Sequence, residues 1–283
     1  VESHQVNDHW VLKRNPHYWQ AGLPKVETLL VRTIPAAQGL VAALRDGSAD
    51  IASFDANPDA AALLAGLPNV EMATQTETSF YLLALNAVAE DSPFHDLRVR
   101  QAVALALDHQ QLIDFALAGQ SKQTFGWTQF GMADDSLLPL AGRDLERDRA
   151  LMAEAKPART TFELVYPGTD VYAAMAQIVA QNLAEIGLQA TLVGVEEGVW
   201  VKRTWGARPA ELDATVLYYS GFAHPLITAH WWAPDMAGFT AGYQAPNETY
   251  SETLIKALLG SSGAEAQAAL QQRHRRFVQA PHQ

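Results

Sequence analysis

The stretch that decides the fold runs from residue 79 to residue 119 and reads SFYLLALNAVAEDSPFHDLRVRQAVALALDHQQLIDFALAG. Its first part, residues 80–86, is mostly apolar and aromatic, which is typical of a strand. Two short helices should follow, because Asp96 can accept backbone N–H bonds from the first turn of one. Asp108 opens the other, and Gln111 stands at capping-box spacing after it. We therefore predict a strand–helix–helix unit on which the rest of the chain packs.

The remaining apolar patterns alternate between strands and helices. We predict strands over residues 6–13, 26–34, 49–54, 70–76, 161–166, 188–195 and 214–219, and helices over 35–46, 57–64, 144–155, 171–186, 199–204, 249–259 and 264–278. Residues 26–54 and 161–195 each predict a strand–helix–strand unit with a right-handed parallel crossover. Residues 120–141 predict a surface loop. The pattern indicates an α/β fold, with a sheet flanked by helices.

Composition excludes several classes of site. The chain has 283 residues and a net charge of −11 without a basic run, which argues against nucleic-acid binding. It contains no cysteine, so disulfides, zinc–thiolate sites and cysteine nucleophiles are excluded. Its opening residues, VESHQ, lack the pattern of a signal peptide, and no apolar run has the length that spans a bilayer.

Three motifs, in order, resemble those of the solute-binding proteins of peptide and nickel ABC importers. RNPHYW at residues 14–19 resembles the family's R-N-P-x-Y-W turn, and AALRDGSADI at residues 42–51 resembles its A-L-x-x-G-x-x-D-I hairpin. The third motif lies in the opening stretch. There a Y-L-x-x-N strand precedes F-x-D-x-R-V-R-Q-A from Phe94, and G-Q follows at residues 119–120. The likeness continues more weakly to the C-terminus.

This resemblance implies a lobe of the periplasmic-binding-protein-like (class II) fold, with a mixed sheet flanked by helices. Residues 1–12 would be a crossover strand from a first lobe, 13–272 the second, ligand-binding lobe, and 273–283 the start of the return. The implied function is to bind a peptide or similar small solute in a cleft between lobes and deliver it to membrane permease subunits. The implied protein is a periplasmic or otherwise extracytoplasmic monomer. Because two lobes close over the solute by hinge motion, one lobe alone should bind weakly.

Aromatic residues near two strand ends are the strongest candidates for solute contact. Trp200 follows a Val-Glu segment, where the resemblance implies a ligand-facing tryptophan. Tyr218 and Tyr219, with Ser220, match a second, aromatic-rich strand end that contacts ligand in the family. Aromatic walls suit a binding site because they supply rigid area at a small entropic cost. Packing in the core is an equally common role for such residues, and this alternative stays open.

One departure from the family pattern concerns the ligand. Peptide-binding members typically place an aspartate at this strand end, where it pairs with the ligand's free amino group. Residues 220–223 contain no carboxylate, and Asp213 lies earlier, at the predicted start of the strand. The resemblance therefore implies a solute-binding protein, but not a peptide amino group held in this way.

Polar residues add further candidates. Arg203 and Arg208 have the geometry to pair with a ligand carboxylate, although a solvated surface role is commoner. Asn86 ends its strand and is expected either to bond a ligand main chain or to hold a turn. We interpret the charged residues of the third motif as structural; these are Arg98, Arg100 and Asp108.

The sequence favours neither an enzyme nor a metal site. It contains no G-x-S-x-G, H-E-x-x-H, P-loop or G-x-G-x-x-G motif. His224 and His230, six residues apart, match no compact metal motif, and no cofactor is predicted. The neighbouring acids at 134–135 and 196–197 are typical of solvated residues.

Three classes of function follow from these observations. Transport-linked solute binding is favoured by the motifs, whereas an enzyme on an α/β sheet or a lobe reused as a sensor or interaction module has less support. The solute itself stays open. Peptides, modified peptides, nickel or other metal chelates, opines and sugars all fit the sequence.

Overall fold

The computed structural model describes residues 1–34, 36–53, 58–73, 78–123, 142–206, 210–220, 227, 230–231, 233, 242–243, 251–252 and 254–255, without the side chains of residues 58, 59 and 61. The chain divides into two compact units, residues 1–74 and 75–283, called here the N-terminal unit and the C-terminal unit. The lobe boundaries at residues 12 and 272 stay predictions. Among the described helices, none is both long and apolar enough to span a membrane.

The N-terminal unit contains a three-stranded antiparallel sheet. Its strands are β1 (Ser3–Gln5), β2 (His9–Lys13) and β3 (Thr28–Arg32), in that order. The single strand predicted over residues 6–13 is wrong in its first three residues. These form the turn between β1 and β2, in which Asn7 adopts a φ of 60° and the Asp8 N–H donates to the Gln5 carbonyl at 3.1 Å. Asparagine tolerates this left-handed conformation better than most residues.

Two helices complete this unit, α1 (Ala37–Arg45) and α2 (Pro58–Leu64), with a small core where Val41, Ala60 and Leu64 are buried. The crossover predicted over residues 26–54 is wrong, because residues 49–53 form no strand and β3 pairs in antiparallel fashion with β2. After α1 the chain turns back on the helix, where the Ala49 N–H donates to the Ala43 carbonyl at 3.0 Å. The strand predicted over residues 70–76 is described only at residues 70–73, which form no strand.

The C-terminal unit contains a four-stranded mixed sheet. Its strands are β4 (Phe80–Leu85), β5 (Thr161–Pro167), β6 (Gln189–Val195) and β7 (Ala214–Tyr219), in the order β4-β7-β5-β6. Strand β5 runs parallel to both β6 and β7, whereas β4 runs antiparallel to β7. These strands confirm the mixed sheet and the second predicted strand–helix–strand unit, in which α6 (Asp170–Ala184) joins β5 to β6.

The opening stretch forms the two predicted helices. They are α3 (Leu97–Ala106) and the short α4 (His109–Gln111), which continues into a π-helical turn (Leu112–Ala116). The Asp96 carboxylate accepts the Arg98 N–H at 2.8 Å, and the Asp108 carboxylate accepts the Gln111 N–H at 2.9 Å. Only half of the predicted capping box forms, because the Asp108 N–H donates instead to Asn182 of α6 at 2.8 Å. This bond to Asn182 ties α4 to α6.

Two further helices, α5 (Leu145–Ala155) and α7 (Glu197–Trp205), confirm their predictions. Both faces of the C-terminal sheet are covered, because neighbouring strand residues enter different cores. Leu164 and Val216 join one core with α3 and α6, whereas Val165 and Leu217 join the other with α7. Residues 124–141 of the loop predicted over 120–141, and most of the two C-terminal helices, lie outside the described residues. Residues 251–252 and 254–255, which are described, are helical.

Candidate functional site

The three parallel strands of the C-terminal unit end at one edge of the sheet, called here the strand-end edge. Pro167 of β5 lies beside Val195 of β6, and Tyr219 of β7 lies beside Phe80, where the antiparallel β4 begins. In open α/β sheets, ligands bind beyond the carboxyl ends of the strands, where the connecting loops converge. The strand-end edge is therefore the candidate site of this unit.

Helices α6 and α7 begin at this edge. The Gly168 N–H donates to the Val195 carbonyl at 2.8 Å, which ties the ends of β5 and β6 together. A Cβ at Gly168 would lie 3.3 Å from that carbonyl oxygen, so glycine allows the close approach. Glu196 caps α7 by accepting the Val199 N–H at 3.1 Å. The edge is held by one bond between two strand ends and by one local helix cap, so it is preformed.

Trp200 lies on α7 and packs into the core between this helix and the sheet. Its side chain is largely buried, with 7% of the residue exposed, and its indole N–H donates to Thr215 Oγ1 at 2.9 Å. Its ring meets that of Trp205 nearly edge-on, with centroids 5.9 Å apart. The indole donor is thus satisfied inside the protein, and the packing alternative describes most of this side chain.

Tyr218 and Tyr219 lie on opposite faces of the sheet, because consecutive strand residues alternate. Tyr219 is buried in the same core as Trp200, with its ring 5.2 Å from that of Phe80, and burial raises its pKa. Tyr218 is half-buried on the other face, 5.2 Å from the ring of Tyr81 in an edge-on contact. The structure therefore brings Tyr219, but not Tyr218, to Trp200.

Ser220 follows β7 directly and is exposed at the strand-end edge. Among the predicted contact residues at this edge, Ser220 and the half-buried Tyr218 are more exposed than Trp200 and Tyr219. Arg208, also predicted to contact ligand, lies outside the described residues, as does His224.

Arg203 lies away from the strand-end edge. Its guanidinium donates to Glu163 Oε2 at 2.7 Å and to the Glu211 carbonyl at 2.9 Å. Glu163 stands in the first half of β5, and Glu211 precedes β7. These bonds hold the end of α7 against the side of the sheet where the parallel strands begin, which is a structural role.

Asn86 also lies at that opposite side, because β4 runs antiparallel to β7. It is 1% exposed, and its amide N–H groups donate to the Ala210 and Leu212 carbonyls, each at 3.1 Å. Its Oδ1 accepts the N–H groups of Val88 and Ala89, each at 3.1 Å. An asparagine side chain offers two donors and one carbonyl oxygen with two lone pairs, so nothing is left for a ligand. The turn-holding alternative describes this residue.

Asp213 occupies the same side, just before β7 begins, as predicted. Its two carboxylate oxygens accept a fork of bonds from the Arg159 guanidinium at 2.6 and 2.7 Å, and one also accepts the Glu163 N–H at 3.0 Å. Arg159 further donates to the Asp91 carbonyl at 3.0 Å. Both carboxylate oxygens of Asp213 are therefore engaged within the unit. Sequence reasoning missed Arg159, because no local pattern links it to a residue 54 positions away.

A model of bacterial extracellular solute-binding proteins, family 5 (middle), matches residues 1–267. The chain belongs to this family.

Curated relatives and solved structures agree with the fold of this family 5 chain. The glutathione-binding protein GsiB of Salmonella choleraesuis is 25% identical over 233 residues, which cover 82% of this chain and 45% of that protein. The oligopeptide-binding protein AppA of Bacillus subtilis, solved with a nonapeptide, superposes with a TM-score of 0.81 at 18% identity, over 98% of this chain and 57% of that one. NikA of Brucella suis, solved with Fe(III)-EDTA, gives a TM-score of 0.76 at 22% identity, over 98% and 58%.

These matches confirm the recognition and the periplasmic-binding-protein-like fold expected from the three motifs. The family 5 chain spans about half the length of the relatives it matches.

The strand-end edge of the family 5 chain carries acidic groups. The described segments that form it, residues 78–80, 166–170, 195–198 and 219–220, contain Asp170, Glu196 and Glu197 and no lysine or arginine. All three carboxylates are exposed. They favour a positively charged group near the edge over a strongly anionic one. Among the described residues, no group of three or more potential ligands is placed to hold a metal ion.

Proposed function

We propose that this chain is part of the extracytoplasmic solute-binding component of an ABC importer and that its strand-end edge contacts the solute. The solute is a peptide or similar small molecule, which the complete protein delivers to membrane permease subunits. The observation that carries the proposal is the placement of the half-buried Tyr218 and the exposed Ser220 where three parallel strands of a family 5 chain end.

The edge can bind by shape and by hydrogen bonding. Trp200 and Tyr219 form a rigid wall behind it, fixed by the bond from the indole to Thr215 and by ring contacts. The Tyr218 ring supplies apolar area on the other face, and the Ser220 hydroxyl and backbone supply polar groups. A wall that is already ordered loses little entropy when a ligand binds, which raises affinity.

The charge of the edge favours a peptide over an anionic metal chelate. Asp170, Glu196 and Glu197 provide negative potential, which suits an amino group or a basic side chain. AppA was solved with a nonapeptide and GsiB is a glutathione-binding protein, and both of these ligands are peptides. Fe(III)-EDTA, the ligand in the structure of a third, has no free amino group or basic side chain to pair with these carboxylates.

The N-terminal unit supports a working protein that contains more polypeptide than this chain. One face of its sheet, called here the apolar face, is formed by Trp10, Leu12, Leu29 and Val31, which pair across β2 and β3. Trp10 is 44% exposed, Leu29 53% and Val31 46%. A three-stranded sheet needs a covered hydrophobic face to be stable, so this face calls for a partner. The greater length of the relatives supplies a candidate, namely further chain of the same protein.

The first test is native mass spectrometry of the protein purified from its own organism, which reports the mass of any retained solute. A retained peptide supports the proposal. A retained chelate overturns the peptide assignment but leaves transport-linked binding intact, and turnover of the solute would overturn the binding function itself.

The second test places a bulky side chain at the edge. Ser220→Trp in the complete protein should weaken peptide binding at least about tenfold in calorimetry, because the indole occupies space next to the wall. The control is Phe115→Ala, which alters an aromatic ring that is 75% exposed elsewhere on the C-terminal unit. Both variants should melt as the wild type does, since both positions are exposed. Wild-type affinity in Ser220→Trp would remove the strand-end edge from the proposal, and micromolar binding by the 283 residues alone would contradict the need for more polypeptide.

A further inference from the structure

Asp148 is a carboxylate inside the apolar core of the C-terminal unit. It stands in the first turn of α5 and has 0% of its surface exposed. Neither carboxylate oxygen has a hydrogen-bond partner. Buried carboxylates normally accept several bonds, so this isolated one needs a physical explanation.

Helix α5 is held against α3, which keeps Asp148 inside. The Asp144 N–H donates to the Leu105 carbonyl at 3.0 Å, and the Arg98 guanidinium donates to the Glu154 carbonyl at 3.3 Å. These bonds join the start of α5 to the end of α3, and its end to the start of α3, so the two helices run antiparallel. Asp148 lies on the same helical face as Leu151 and Met152, which pack against the core.

The arginines of α3 and of the α5 side are engaged with other groups. On the α5 side, Arg143 forms an ion pair with Glu185, and Arg149 donates to the Glu185 carbonyl at 3.5 Å. On α3, Arg98 pairs with Asp96, and Arg100 donates to the carbonyls of Phe94 and His95 at 2.9 and 2.8 Å. The nearest acid is Asp144, whose carboxylate caps α5 by accepting the Arg147 N–H at 3.0 Å. Thus none of these arginines donates to the Asp148 carboxylate.

Such surroundings favour the neutral acid. An isolated ionised carboxylate in an apolar interior is so costly that the group binds a proton instead. Burial accordingly raises the pKa of Asp148 above its ordinary value. The neighbouring Arg149, through its backbone N–H and its charge, and Arg143 lower this pKa by less.

We propose that Asp148 is a pH-sensitive latch of the contact between α3 and α5. Protonated, it stays in the core and α5 lies on α3. When it loses its proton to solvent water, the carboxylate must leave the core, and α5 separates from α3, exposing Leu151 and Met152.

The pH window follows from the direction of the shift. A folded-state pKa above the unfolded value means that the folded protein holds the proton more tightly than the unfolded chain does. The stability contributed by this proton is complete below the ordinary aspartate range, near pH 4. It is lost as the pH rises through the raised value.

The test compares the wild type with Asp148→Asn, which keeps the shape of the side chain but cannot ionise. Between pH 4 and pH 8, the melting temperature of the wild type should fall relative to that of Asp148→Asn by about 3 °C or more. Amide hydrogen exchange in α5 should become faster in the wild type than in the variant at the same alkaline pH. The matched control is Glu146→Gln, which removes an exposed charge from the first turn of the same helix and should leave the wild-type profile unchanged.

A direct measurement covers the case in which Asp148→Asn folds poorly. In wild-type protein with ¹³C-labelled aspartate, the Asp148 carboxyl carbon should titrate above the ordinary aspartate range. Parallel melting profiles for wild type and Asp148→Asn, or a carboxyl signal that titrates near pH 4, would overturn the latch.

Discussion

One mostly apolar strand is exposed in the N-terminal unit, whereas another is buried in the C-terminal unit. Strand β3 of the N-terminal unit reads TLLVR, and all five residues are exposed. Strand β7 of the C-terminal unit reads ATVLYY, and five of its six residues are buried. Both sequences are mostly apolar, with three of five residues in β3 and five of six in β7. What differs is that β7 has strands on both sides and cores on both faces, whereas β3 pairs with β2 in a sheet whose apolar face is open.

The contrast extends beyond one pair of strands. Of the 19 large hydrophobic residues that are exposed in the described parts of the chain, 13 belong to the N-terminal unit, which has only 74 residues. A high density of exposed apolar side chains marks a surface that other polypeptide covers. The C-terminal unit encloses its own core, whereas the N-terminal unit carries most of the exposed apolar side chains of the described residues.

Separating the units should give the largest effect. Residues 75–283 alone should keep their secondary structure and unfold cooperatively, since their core is internal. Residues 1–74 alone should show no cooperative transition, because the three-stranded sheet lacks a covered face. Circular dichroism through a thermal scan measures both. A sharp transition in the 74-residue fragment would break the comparison.

Matched leucine substitutions in β5 and β3 test the same difference in burial between the two units. Leu164 in β5 is 0% exposed, and Leu164→Ala should lower the free energy of unfolding by about 2–5 kcal/mol through lost burial and a cavity. Leu30 in β3 is 54% exposed, and Leu30→Ala should change it by only about 0.5 kcal/mol. Urea denaturation of the whole chain gives both values. Equal costs would mean that the solvent exposure of β3 does not reflect its working environment.

The smallest expected difference concerns two asparagines. Asn86→Ala removes two buried and two part-buried hydrogen bonds, including those to the Ala210 and Leu212 carbonyls, at a cost of about 1–3 kcal/mol. Asn15→Ala removes one bond, from the His17 N–H at 2.9 Å, at an exposed turn, and should cost about 0.5 kcal/mol. Urea denaturation reports the cost, and solute affinity measured in the complete protein separates stability from binding. A drop in affinity with unchanged stability for Asn86→Ala would restore its ligand role.

Expectations from sequence were most accurate where a few neighbouring residues decide the outcome. Helix α6 follows from apolar positions at 3.6-residue spacing, and Met175, Ile178, Val179 and Leu183 are all buried. They were wrong at residues 49–53, where a strand pattern found no strand to pair with. Pairing depends on residues far apart in sequence, so an apolar run alone does not predict it.

The sequence by itself determined the family, the C-terminal strands and helices, and the caps at Asp96 and Asp108, because these depend on motifs, periodicity and contacts within a few positions. Only the tertiary structure decided where the candidate site residues lie. The antiparallel direction of β4 carries Asn86 to the edge opposite Tyr219, and strand alternation separates Tyr218 from Trp200. The bonds that fix Asn86 reach residues 124 and 126 positions away, beyond what any local pattern encodes.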